Sequence, residues 1–99
     1  MMIDVAVPVR VPGTFHYLVK PEQEGIIQIG SVVEIPFRHS KTHGFVVGFP
    51  TKTTIDPRKL KEADEVLVQE ALFDSGMLEF LKWVSEYYHH PLGEVIATA

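Results

Sequence analysis

The chain has 99 residues, 45% of them hydrophobic and 22% charged, with a net charge of −4; this is enough for one modest core and ordinary for a soluble globular domain. Its apolar runs fall far short of the roughly 20 residues of a membrane span, and Met1-Met2-Ile3-Asp4 lacks the basic and apolar regions of a secretory signal. The absence of cysteine excludes disulfides and thiolate metal sites and suits a reducing cytoplasm.

Residues 3–9 alternate, with Ile3, Val5, Val7 and Val9 on one face, which predicts a half-buried strand; Pro8 marks it as an edge strand or one ending in a bulge. Pro12-Gly13 predicts a turn. Thr14 to Val19 is the next predicted strand, with Phe15, Tyr17 and Val19 on one face and His16 on the other, where it should reach solvent. A polar turn over Pro21–Gly25 leads to a strand at Ser31–Phe37, in which Val33, Ile35 and Phe37 point the same way. Arg38 to His43 reads as a polar hairpin connection to a strand over Gly44–Phe49. Thr51 to Arg58 reads as a loop, and one more strand is predicted around Val66 and Val68.

A single helix is predicted over about residues 75–90, capped by Asp74 or Ser75 and stopped by Pro91. Met77, Phe80, Leu81, Trp83, Val84, Tyr87 and Tyr88 cover an arc of about 160°, so core packing is favoured over base stacking for these aromatics. Gly93 should turn the chain into a last apolar segment, Val95 to Ala97. Short strands between Gly/Pro turns, followed by one helix, predict a mainly β, α+β fold: a small bent sheet or partly open β-barrel with an amphipathic helix packed on it. With no polar tail before Ala99, residues 1–99 are expected to form one domain cut from a longer chain.

Charge is unevenly spread. Residues 38–61 hold Arg38, Lys41, Lys52, Arg58, Lys59 and Lys61 against Asp56 alone, whereas residues 62–99 hold eight acids against Lys82. Such a balance suits a small local contact with phosphate rather than wrapping of long duplex; from charge alone, a solvated loop with no partner is equally compatible. Enzyme chemistry has little support, because no nucleophile elbow, Walker motif or dinucleotide fingerprint is present. His39 and His43 have a helical metal-ligand spacing, but they lie in a predicted hairpin loop without a third ligand, so no metal is expected. His89-His90 is explained by capping and by the helix dipole. His16 beside Arg38 and Lys61 would make a plausible single-strand pocket.

The ordered pieces Val5-Ala6-Val7-Pro8-Val9, Thr14-Phe15-His16-Tyr17-Leu18, Val33-Glu34-Ile35-Pro36-Phe37, Gly44-Phe45-Val46-Val47, Leu60-Lys61 and Tyr87-Tyr88-His89-His90-Pro91-Leu92-Gly93-Glu94-Val95 resemble one family over nearly the whole chain. It is the family of N-terminal DNA-binding domains of primosomal protein N′, the bacterial replication-restart helicase. The resemblance implies a cytoplasmic, monomeric module that holds the 3′ end of the nascent leading strand at a stalled fork and has no catalytic site of its own. It also implies a parent that is an ATP-dependent 3′-to-5′ DNA helicase, with ATP and zinc bound only by its other parts.

The family's pocket draws on a Thr-Phe-Asp-Tyr strand, a Pro-Phe-Gly turn and a later lysine. Phe15 and Lys61 match and carry over; His16 stands where the family has Asp, and Arg38 where it has Gly. An Asp only accepts hydrogen bonds, whereas a neutral His has one donor and one acceptor. An Arg at the Gly position disfavours positive φ and adds charge at the rim. The implied DNA-binding set is therefore Phe15, His16, Tyr17, Arg38 and Lys61, with Lys61 on phosphate, Phe15 as a wall and His16 on the terminal nucleotide. Alternative readings are an intramolecular or protein docking module without end specificity, and a general single-strand binder.

Overall fold

The computed structural model describes residues 1–11 and 13–98. Five strands, β1 (Met2–Ala6), β2 (Phe15–Leu18), β3 (Val32–Phe37), β4 (Ser40–Gly48) and β5 (Glu65–Val68), are followed by helices α1 (Ser75–Tyr88) and α2 (Leu92–Thr98). The strands form one sheet in the order β2-β1-β4-β3-β5, every pair antiparallel. Its two edges are not joined, so the fold is a bent open sheet and not a closed barrel. Register shifts between Asp4 and Val5 and between Val32 and Val33 supply local bends.

Both faces of the sheet are buried, as strand alternation dictates. Ile3, Val5, Val33, Ile35 and Val46 turn to one face, where Tyr17, Val19, Ile27 and Ala63 complete a core. Ala6, Val32, Phe45 and Val47 turn to the other, where Phe73, Leu78, Leu81 and Ile96 cover them. Each such aliphatic side chain contributes about 1.5–3 kcal/mol when fully buried.

Several boundaries differ from the sequence reading. β1 ends at Ala6, before Pro8, which lacks the N–H that would continue the ladder. Ser40 to His43 is strand rather than connection, since Phe37 pairs with Ser40 and the turn is only Arg38-His39. Pro12 of the expected Pro12-Gly13 turn lies outside the described residues, and Gly13 has φ 90. Ala99, which closes the expected fragment, also lies outside them.

The helical part required the largest correction. Asp74 caps α1 as expected, its Oδ1 accepting from the Met77 amide at 2.8 Å, but α1 ends at Tyr88 with His89 in the left-handed region. Only Leu78 and Leu81 of α1 are buried, while Phe80, Trp83, Tyr87 and Tyr88, expected in the core, are exposed. The expected last apolar segment is a second helix, α2, in which Gly93 and Ile96 are buried. Gly93 therefore lies inside the helix, where it lets α2 approach the backbone: a Cβ there would collide with the Val7 carbonyl and come within 2.9 Å of the Pro8 nitrogen.

Two predictions follow from this geometry. Gly93→Ala should destabilise the domain by about 2–4 kcal/mol in chemical unfolding; a change within about 0.5 kcal/mol would show that α2 does not press on the Val7-Pro8 backbone that follows β1. Arg38, at φ 58, carries a strain of about 1 kcal/mol that glycine would not. Arg38→Gly and Arg38→Ala remove the same side-chain contacts, so the glycine variant should be the more stable by about 1 kcal/mol. Equal stabilities would contradict the positive φ.

Candidate nucleic-acid interface

The alternation of β2 directs Phe15 and Tyr17 toward one core. Phe15 meets Phe37 edge to face, the ring centroids 5.0 Å apart at 77°. Tyr17 donates its hydroxyl to the Pro36 carbonyl at 2.8 Å, and burial raises its pKa above the ordinary 10.0, so it stays a neutral donor at physiological pH. These contacts hold the end of the β3–β4 hairpin against β2. Arg38, in the turn, lays its guanidinium carbon 5.3 Å from the centre of the Phe37 ring, a cation–π contact.

Lys61 arrives from the far end of the basic segment. The Leu18 amide donates to the Lys61 carbonyl at 2.8 Å and the Ala63 amide to the Leu18 carbonyl at 3.0 Å, forming one parallel bridge beside β2. The Lys61 side chain is exposed, while its backbone is fixed next to the Phe15–Leu18 strand.

His16 is not free in solvent as expected. It is half-buried, with Nδ1 2.8 Å from the Thr53 hydroxyl and Nε2 3.7 Å from Asp4 Oδ1. The Ile55 amide donates to the Thr53 hydroxyl oxygen at 3.2 Å, so one hydroxyl links the His16 ring to the Ile55 backbone. The other ring nitrogen, Nε2, faces an Asp4 oxygen that is buried and has no hydrogen-bond partner among the described residues. His16 therefore ties the loop around Thr53 and Ile55 to β2.

Phe15, His16, Tyr17, Arg38 and Lys61 all line one open depression of about 220 Å³, together with Pro36, Phe37, Ile55, Lys59 and Leu60. Pro36 and Phe37 belong to the turn that the resemblance puts at the pocket and Leu60 to the quoted Leu60-Lys61 pair, whereas Ile55 and Lys59 were not named as site residues from sequence. Lys59 sits in the basic run, but nothing local marks Ile55 as a wall. Arg38, Lys59 and Lys61 give the depression three cations and no acid, an arrangement suited to an anion. A larger cleft of about 750 Å³ lies between the β1–β2 connection and the helix ends. There Arg10 and Lys82 are offset by Glu86 and Glu94, so its size does not make it the better phosphate site. His39 lies in the hairpin turn and His43 on β4 with its ring against Phe45, not on a helix.

No helix of the described residues is long and apolar enough to cross a membrane. Residues 4–99 match the family model of the 3′DNA-binding domain (3′BD) of PriA. The replication restart protein PriA of Haemophilus influenzae is 34% identical over 98 residues, which is 99% of this chain and 13% of that protein. The replication restart protein PriA of Buchnera aphidicola is 26% identical over 96% of this chain and 13% of its own length. That of Rickettsia felis is 34% identical over 71% of this chain and 10% of its own length. The chain thus spans about an eighth of the relatives it matches at full coverage, and it belongs to the 3′DNA-binding domain (3′BD) family.

Proposed function

We propose that residues 1–99 act as one DNA-binding domain that holds the 3′ end of a nascent leading strand at a stalled replication fork, as part of a longer replication-restart helicase of the bacterial cytoplasm. The observation that carries this reading is the convergence of Phe15, His16, Tyr17, Arg38 and Lys61 on one small depression with only cations among its charged groups. A depression of about 220 Å³ is sized for one terminal residue and not for a length of strand. The domain itself works by binding. ATP hydrolysis, 3′-to-5′ unwinding and zinc belong to the remainder of the parent, and the domain acts as a monomer within it.

Each group has a role in this reading. Lys61 meets a phosphate through its exposed ammonium. Phe15, braced by Phe37, forms a wall. Both ring nitrogens of His16 are turned to Thr53 and Asp4, so His16 offers its ring face to the terminal base rather than a hydrogen bond. Arg38 adds charge at the rim where the family has glycine.

Lys61→Ala should weaken binding of a short single strand about tenfold and reduce the salt slope by about 0.7, with the thermal midpoint nearly unchanged; unaltered binding would remove Lys61 from the site. Thr53 does not line the depression, yet Thr53→Val should lower end affinity about threefold by freeing Ile55 and Lys59, at a stability cost of about 1 kcal/mol. Equal affinity would show that the loop is not a working wall. Affinity should also be independent of oligonucleotide length, and growth with length would identify a general single-strand binder.

A further inference from the structure

On α1, Met77, Phe80, Trp83, Tyr87 and Tyr88 are each 49 to 64% exposed. They are organised, not scattered. Phe80 stacks on Trp83 with centroids 6.3 Å apart at 24°, Trp83 on Tyr87 at 5.1 Å and 22°, and Tyr87 meets Tyr88 edge to face at 4.9 Å. Single exposed apolar side chains are normal, but a contiguous aromatic ladder marks an interaction surface. The helix is held by its other side, where Leu78 and Leu81 are buried against the sheet and α2.

The chemistry around the ladder selects the partner. Glu79 and Glu86 lie one turn before and after Trp83, and Lys82 is drawn toward Glu79 at 3.7 Å. Residues 62–99 carry eight acids against one base. An acidic border repels nucleic acid and attracts an apolar protein surface edged with Lys or Arg. The exposed area of five half-exposed side chains is on the order of 500 Å², below the roughly 800 Å² per partner of a stable free association. Two copies meeting here would also bring their acids together. A covalently linked neighbour needs less area, because tethering supplies a millimolar effective concentration, and the matched relatives carry most of their length outside the matched part.

We infer that the Phe80–Trp83–Tyr87 ladder docks this domain onto a basic-edged apolar surface of the remainder of its longer chain. This rests on the reading that the domain is part of a longer restart protein. α1 is seated by Leu78 and Leu81 on one core, whereas Phe15 and Tyr17 of the basic depression pack on the other, and no ladder residue lines the depression, so the domain can hold DNA and its neighbour together.

The test is hydroxyl-radical footprinting of Trp83, the only tryptophan of the chain. Its oxidation rate is compared in this chain alone and in the Haemophilus influenzae relative with its 98 matched residues exchanged for this chain. A fall of at least fivefold in the long protein is expected, and equal rates would overturn the inference. Protection that instead rises with concentration of the isolated chain, or on adding a single-stranded oligonucleotide, would assign the ladder to a second copy or to DNA and equally overturn it. If the exchanged protein does not fold, Trp83→Lys in the isolated chain still decides. An unchanged unfolding midpoint and unchanged oligonucleotide binding support a surface reserved for another part of the protein, and a collapsed midpoint would show that Trp83 belongs to the domain's own packing. Because end binding is read at Lys61, failure of the ladder leaves the DNA reading standing, and the reverse.

Discussion

The two backbone hydrogen bonds by which Leu18 grips Lys61 and Ala63 organise both the core and the depression. They dock the end of the basic segment on the otherwise open edge of β2. Ala63, fully buried there, closes one face of the sheet over Ile3, Val5 and Ile35. The next residue then crosses to the far side, where the Asp64 amide donates to the Glu34 carbonyl at 2.8 Å and the chain enters β5 beside β3. A sheet with unequal ends is thus braced without being closed into a barrel, and Lys61 is set one residue from the pairing that fixes it. Lysine chemistry with fixed backbone placement is what a weak phosphate contact requires, because a free side chain loses part of its gain to ordering.

Charge is partitioned along the chain. The net-basic residues 38–61 run from the β3–β4 turn through β4 and into the long loop before β5, whereas residues 62–99, from the end of that loop through β5 and the helices, hold eight acids against Lys82. At physiological salt, charges more than about 8 Å apart are largely screened, so the overall negative charge does not decide what the depression attracts. The His16 network adds a mechanical element. The His16 ring reaches Thr53, whose hydroxyl also accepts from the Ile55 amide, and so ties to β2 the loop that carries Lys59.

Much of the fold was legible in the sequence. Period-two alternation located all five strands to within a few residues, and the Asp74 cap located the start of α1. The face of α1 was not legible, for a physical reason. Its apolar arc is wide enough to include both Leu81 and the aromatics, and the choice between them is made by α2, a helix whose seven residues follow a proline and contain a glycine and so lack a strong local signal. Gly93 reads locally as a turn, while its reason is contact with Val7, more than eighty residues away in sequence. Motif resemblance found five lining residues of the depression, but Ile55 and Lys59 depend on loop placement through Thr53, which no local pattern encodes. Arg38 shows the same limit: its sequence argues against positive φ, and the two-residue hairpin imposes it.

The central claim is that the depression recognises a strand terminus and not merely phosphate. Fluorescence anisotropy at low salt, with one short single-stranded oligonucleotide bearing a free 3′-OH and the same strand 3′-phosphorylated, tests it most directly. Clear preference for the free end is predicted, because an added terminal phosphate would have to fit inside a space sized for one nucleotide. Equal binding of the two strands would contradict the claim and leave Arg38, Lys59 and Lys61 as a general phosphate contact.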